Sequence, residues 1–214
     1  MLDVRSHVQT VPTSRYHVSL AVDDREIHEA QRLRYKVFAE EMGARLSTTL
    51  PGHDIDLYDP FCDHLLVRDL ASGEVVGTYR ILPPDAARRV GSYYSEQEFD
   101  LTRLNFLRPR MAELGRSCVH PAHRSGSVIA RLWMGLADYM TRYGYDYLVG
   151  CASIGMADGG HIAASVYRQL SNRHLAPVEW RTTPRYRLPV ESLDDGLTAT
   201  LPPLIKGYTR MGAM

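Results

Sequence analysis

Residues 111–154, MAELGRSCVHPAHRSGSVIARLWMGLADYMTRYGYDYLVGCASI, decide how this chain is read. The first nine are a compact apolar run with the length of a strand, and HPAHRSGS (120–127) is a polar turn. Val128, Ile129, Leu132, Trp133, Leu136 and Met140 then recur at helical spacing until Gly144. The stretch YDYLVGCASI (145–154) follows at once as a buried strand. Strand, polar loop with an arginine, helix and strand is an order that cradles an anion. Backbone N–H groups at a helix N-terminus face the ligand, the helix dipole favours negative charge, and Arg124 stands directly before them. A pantetheine or pyrophosphate group suits such a cradle. The apolar stripe of the helix is core packing, so only its N-terminal end is a functional candidate.

Outward from this centre the pattern continues as α/β. Tyr16–Ala21 reads as a strand, Asp23 and Asp24 offer capping oxygens, and Ile27, Ala30, Leu33, Val37, Phe38 and Met42 mark an amphipathic helix over Arg25–Met42 that ends at Gly43. LSTTLPGHDIDLYDPFCD (46–63) is a loop rich in turn formers and acids. HLLVRD and EVVGTYRIL, joined by the turn ASG, predict an antiparallel hairpin closed by Pro83 and Pro84. Residues 85–109 carry a weaker helical signal. A helix from about Gly160 to Leu175, strands around VEWRTTPRYRL (178–188) and a proline-led end complete the chain. There is no internal repeat and no linker, which predicts one domain over 16–214 behind a loosely ordered segment, 1–15.

Composition excludes several classes. Lys plus Arg and Asp plus Glu both number 25, so net charge gives no reason to invoke nucleic acid or an anionic membrane. Three scattered cysteines, Cys62, Cys118 and Cys151, form neither a disulfide framework nor a zinc-binding pattern. No apolar run is long enough to span a membrane, which points to a soluble, cytoplasmic protein with at most peripheral membrane contact.

The segment VHPAHRSGSVIARL resembles the GNAT signature, in which V-x-P-x-x-R precedes a glycine-rich turn and a helix; here Gly126 is the turn's one glycine. ELGRSCVHPAHR, YKVFAEEMGA, YDPFCDHLLVRD, VVGTYRILPP and LVGCASI together, in order across residues 31–210, resemble the ornithine-lipid acyltransferases and their hemolysin-like relatives. Arg34, Phe38, Asp56, Asp59, Arg80, Glu113 and Arg116 are more distantly similar to positions of acyl-homoserine-lactone synthases. The resemblance implies a GNAT fold with a mixed, mostly antiparallel sheet flanked by helices. It implies transfer of a 3-hydroxyacyl group from acyl carrier protein, or acyl-CoA, to the α-amine of ornithine, with no tightly bound cofactor. It also leads one to expect a further acidic, proline-containing segment beyond GYTRMGAM, so the chain reads as short at its C-terminus. The rivals are acylation of glycine or lysine, acyl-homoserine-lactone synthesis, and a non-catalytic module that binds acyl carrier protein or lipid.

Under this reading Glu113 is the proton acceptor, directly or through water, and the strand residues Arg116, Ser117, Cys118 and Val119 line the reacting centre. A bulge in the strand exposes an amide near Cys118 or Val119 to polarise the thioester. Asp56 and Asp59 hold a cationic amino acid, Arg34 and Arg80 pair its carboxylate or order the loop, and Phe38 belongs with them. His120, Arg124, Gly126, Ser127 and Val128 face the donor. Blander alternatives stand beside each role. Glu113 and Arg116 form a structural ion pair tying the strand to the first helix, Arg124 is a solvated cation, His120 and His123 are solvated loop residues, and Cys118 and Cys151 are small buried hydrophobes rather than acyl carriers. The spacing Asp54, Asp56, Asp59 faintly suggests calcium, but Tyr58 stands where an oxygen ligand is needed and the required glycine is missing.

Overall fold

The computed structural model describes residues 14–194 and 196–214, so the expectation for 1–15 lies outside the described residues except at Ser14 and Arg15. The strands β1 (Tyr16–Leu20), β2 (Asp63–Asp69), β3 (Val75–Leu82), β5 (Met111–Val119) and β6 (Tyr147–Val149) form a sheet in the order β1-β2-β3-β5-β6, and β4 (Phe99–Asp100) pairs separately with β7 (Thr183–Pro184). The chain forms two compact units, one of residues up to Ile81 with Arg116–Gly144, the other of Leu82–Gly115 with Tyr145–Met214. Strand β5 contributes its second half to the first unit and its first half to the second.

In the first unit β1 and β2 are antiparallel from Tyr16↔Asp69 to Leu20↔Leu65. The predicted hairpin of β2 and β3 is antiparallel from Asp63↔Ile81 to Val67↔Gly77, with a register shift at Val67/Arg68. Every residue of β3 is buried. Helix α3 (Ser127–Tyr143) lies on one face of this hairpin through two reciprocal glycines. A Cβ on Gly77 would meet Val128 Cγ1 at 2.5 Å, and one on Gly135 would meet Val18 Cγ1 at 2.6 Å. Leu65 touches the Gly135 position, whereas its neighbour Leu66 clusters with Ala30, Leu33 and Val37. Adjacent strand residues point to opposite faces, so α1 (Asp24–Tyr35) covers the face away from α3.

The first helix starts as expected, with Asp23 accepting the Glu26 amide at 2.9 Å. It is not uniformly α-helical to Met42. From Lys36 to Glu41 it widens into a π-helical turn, with Met42 N–H reaching back five residues to the Val37 carbonyl at 3.1 Å. The extra residue re-aims the last turn, and such widenings accompany functional sites.

In the second unit α2 (Pro84–Val90) opens on a proline and stops at Gly91 in the left-handed region. The first half of β5 runs parallel to β6 from Met111↔Tyr147 to Glu113↔Val149. Two expectations fail here. The stretch 145–154 forms only three strand residues, of which Leu148 is 44% exposed, because β6 is the edge of the sheet and one flank meets solvent. The stretch 178–188 supplies a single 3₁₀ turn, Val178–Trp180, and the two residues of β7, because Pro177, Pro184 and Pro189 withdraw the N–H groups that a longer ladder needs. Helix α4 (His161–Ser171) holds the following segment through Arg168, whose guanidinium donates to the Val190 and Leu193 carbonyls at 2.6 and 2.9 Å. Helix α5 (Pro203–Arg210) closes the chain with Ile205 buried.

Candidate active site

Five of the residues singled out in the sequence meet in the first unit, together with Asp54 and His64. Arg34, on the buried face of α1 and wholly inaccessible, donates from Nε to Asp54 Oδ2 at 2.9 Å, and it also reaches the Asp54 carbonyl. Its two other nitrogens meet Asp59 Oδ1 and Oδ2 at 2.8 and 2.9 Å. Arg80, on β3, contacts Asp56 Oδ1 at 2.6 Å and Asp59 Oδ2 at 3.5 Å. Arg116, on β5, lies 3.3 Å from Asp54 and 3.4 Å from Asp56. Three guanidiniums thus neutralise three carboxylates. The loop supports the arrangement, since Asp59 Oδ2 accepts the Asp56 amide at 2.8 Å and Asp56 Oδ1 accepts the Tyr58 amide at 2.9 Å.

Burial would lift the Asp56 carboxyl, but the charge and hydrogen bond of Arg80, the Tyr58 amide and Arg116 outweigh it and hold the pKa below the ordinary value. Asp56 is therefore an anion at neutral pH. Burial, reinforced by the Arg34 charge, depresses His64, so this ring stays neutral while its Nε2 meets the Asp59 carbonyl at 3.3 Å. Asp54, Asp59, Arg34 and Arg80 are all buried, whereas the side chains of Asp56 and Arg116 are 21% and 26% exposed. The cluster thus presents one anionic and one cationic group at its accessible edge. Arg116 is held there by its backbone, at φ +50° in the left-handed region that bulky residues avoid. Non-glycine residues in that region concentrate at functional sites, where the surrounding structure compensates the strain.

The calcium-like spacing has a different use in the fold: Asp54, Asp56 and Asp59 spend their oxygens on arginines. Arg116 is joined to the first helix through Asp54, which Arg34 also holds. Glu113, in the second unit, is 4% exposed, and its two oxygens accept the Tyr94 and Ser95 amides at 2.7 and 2.6 Å. Those amides open the 3₁₀ turn Tyr94–Gln97. In the same unit Tyr93 donates its hydroxyl to the Met111 carbonyl at 2.7 Å, which ties the turn to β5.

The loop before α3 belongs to the first unit. His120 Nε2 lies 2.9 Å from Lys36 Nζ, and His123 Nδ1 lies 3.1 Å from the Tyr16 hydroxyl, so neither ring is merely solvated. Burial and the Lys36 charge lower the His120 pKa. Gly126, at φ +98°, precedes α3, and no side chain caps the helix. Ser127 Oγ is 3.1 Å from Ser125 Oγ. Val128 is fully buried against the Gly77 position, so its side chain is core and only its backbone faces the loop. Arg124 donates from Nε to the Val119 carbonyl at 3.1 Å and grips both oxygens of Glu41 at 2.5 and 2.7 Å. Phe38 packs against the cluster of Ala30, Leu33, Val37 and Cys118. Ser117 and Val119 are half-buried and Cys118 is buried; burial pushes its thiol up to about 12, despite the opposing charges of Arg34 and Arg124.

Sequence reasoning passed over His64, Lys36, Glu41 and the Tyr94–Ser95 amides, and it weighed Asp54 only as a calcium ligand. His64 and Asp54 carry a usable signal, a buried strand histidine and an acid two residues before Asp56. Lys36 and Glu41 do not, because the π-helical turn that aims them is invisible in the helical period. Among the described residues no helix is long and apolar enough to cross a membrane.

Comparison with known proteins fits this geometry. Residues 33–134 match the family model described as "Acetyltransferase (GNAT) domain". The chain is 38% identical to an L-ornithine N(α)-acyltransferase of Brucella abortus over 92% of its own length and 76% of that protein's. It is 40% identical to an L-ornithine N(α)-acyltransferase of Agrobacterium fabrum, over 91% of this chain and 72% of the relative. Among solved structures, the AHL synthase LasI superposes with a TM-score of 0.50 at 24% identity, covering 72% of this chain and 79% of LasI. The CoA-dependent acyl-homoserine lactone synthase BjaI with MTA superposes with a TM-score of 0.51 at 19% identity, covering 69% and 72%. These structures share the fold, a mixed and mostly antiparallel sheet flanked by helices, while identities near two fifths over nine-tenths of the sequence go further: this chain belongs to the L-ornithine N(α)-acyltransferase family of GNAT-fold N-acyltransferases.

Proposed function

We propose that this chain transfers a 3-hydroxy fatty acyl group from an acyl thioester, carried by acyl carrier protein, to the α-amine of ornithine. One observation carries the reading: relatives named for ornithine N(α)-acylation are 38% and 40% identical to it over 92% and 91% of its length. The accessible edge of the arginine–aspartate cluster supports it. Asp56, an anion, suits an ammonium group of ornithine, and Arg116, beside it, suits the α-carboxylate. The amine attacks the thioester carbon as the C–S bond breaks, and the thiol leaves with a proton while the ammonium proton passes to solvent or a base. Donors near Cys118 and Val119 stabilise the oxygen as it becomes anionic. Glu113, whose two oxygens accept the Tyr94 and Ser95 amides, is assigned to positioning the 94–97 turn and β5.

The test is mass spectrometry after incubating the purified chain with 3-hydroxyacyl carrier protein or acyl-CoA and an equimolar mixture of ornithine, lysine and glycine. N-acylornithine is expected. A different conjugate would keep the acyl transfer and change the acceptor, and an intact thioester with every amine would overturn the reading.

A further inference from the structure

The π-helical turn aims Glu41 at the loop before α3. There it takes both terminal nitrogens of Arg124 at 2.5 and 2.7 Å, while Nε is held by the Val119 carbonyl. All three nitrogens of the fork are therefore engaged, and the fork points at a carboxylate. The side chains of Glu41 and Arg124 remain 37% and 44% exposed, so solvent and solutes reach the pair. Two residues on, α3 begins behind Gly126 with no side-chain cap. A guanidinium fork holds a phosphate as readily as a carboxylate, and an exposed ion pair is weak enough to exchange partners.

We propose that Glu41 is a resident counter-anion of Arg124 which a phosphate of the acyl donor must displace, making Glu41 a determinant of donor specificity. The inference rests on the acyl-transfer reading. A thioester carried on a phosphate-bearing arm regains an ion pair when it evicts Glu41. A thioester without phosphate leaves the pair intact, so Glu41 raises the cost of binding for phosphate-bearing donors alone and narrows the preference that Arg124 gives them. Glu41 contacts no reacting atom and acts through Arg124.

The test compares the full chain with Glu41→Gln, Arg124→Gln and the double variant, after melting curves confirm that each is folded. Glu41→Gln is expected to lower KM for acyl-CoA by about threefold, the scale of one exposed ion pair, and to leave KM for the corresponding acyl-pantetheine unchanged. In the Arg124→Gln background the Glu41 effect disappears, as a pairwise coupling requires. Independently of activity, inorganic phosphate titrated into the ¹⁵N-labelled chain should shift the Gly126–Val128 amides at about threefold lower concentration in Glu41→Gln. An unchanged or raised KM for acyl-CoA, or a phosphate titration indifferent to Glu41, overturns the inference while product formation leaves the acyl-transfer reading standing. Absence of any acylated amine overturns that reading instead, and the phosphate titration still decides the role of Glu41.

Discussion

The carboxylates of Asp54, Asp56 and Asp59 and the carboxylate of Glu113 solve one physical problem in two ways. A buried carboxylate needs compensation for the water it has lost. The three aspartates obtain it from the guanidiniums of Arg34, Arg80 and Arg116. Glu113 obtains it from two main-chain amides. Side-chain partners stay movable at the margin, and under the proposed function Asp56 and Arg116, the two partly exposed members, trade contacts with a charged substrate. Backbone partners belong to the fold, and a carboxylate bound to them is locked into one place. Under the proposed function, the difference separates a surface that receives ligand charge from an anchor that holds a turn.

The largest effect expected from breaking this comparison lies at Arg34. Arg34→Leu leaves Asp54 and Asp59 buried beside apolar carbon with their main counter-charge gone. Removing one member of a buried pair costs about 3–5 kcal/mol, a large part of a domain's stability. Urea unfolding should show that loss, or no folded protein at all. A stability near that of the parent would mean that the cluster is far wetter than its inaccessible arginine indicates.

Next in size is Glu113→Gln. The amide keeps one acceptor oxygen and sets an NH₂ against an N–H donor, which leaves a buried group unsatisfied at about 1–3 kcal/mol. If Glu113 positions the turn, stability and kcat fall together and the pH dependence of kcat/KM keeps its shape. If the acidic limb of that profile vanishes while the melting temperature holds, Glu113 is the base and the anchor role is wrong.

How far these two sites were legible in the sequence follows from the same contrast. The acids at 56 and 59 and the arginines at 34, 80 and 116 are legible through the resemblance to acyl-homoserine-lactone synthases, and once they are named, charge pairs with charge. Two partners of Glu113 are main-chain amides, and every residue but proline has one, so no pattern marks Tyr94 and Ser95. The run Met111–Val119 was readable as β5 because it is apolar and sharply bounded. The apolar run after Gly144 was misread as a buried strand because hydropathy does not say that β6 is an edge. The π-helical turn hides for another reason: Val37 and Phe38 are both apolar, and either helical period accommodates them.

Asp56→Asn sharpens the comparison at its movable end. The substitution keeps the shape and removes the charge at a partly exposed position, so the fold should survive. KM for ornithine should rise by about tenfold, the worth of one charge-assisted contact, with the donor's KM unchanged. An equal loss against both substrates would place Asp56 with Asp54 and Asp59 as a structural carboxylate.

The smallest effect is expected at Cys118, two residues past Arg116. It sits among apolar side chains, and burial pushes the thiol up to about 12. At neutral pH the thiolate fraction is then about one part in a hundred thousand, too little for an acyl-cysteine intermediate to form at a useful rate. Nearby arginines would have made this residue reactive had their charge prevailed, but Arg34 is committed to Asp54 and Asp59 and Arg124 to Glu41. The cation-rich neighbourhood is therefore electrostatically quiet where the sulfur lies. Cys118→Ala should cost about 1 kcal/mol of stability for the lost packing and leave kcat/KM within about twofold of the parent. A loss beyond a hundredfold in a variant that still folds would put the thiol in the mechanism, and it would show that the arginines of the first unit are less completely neutralised than their geometry requires.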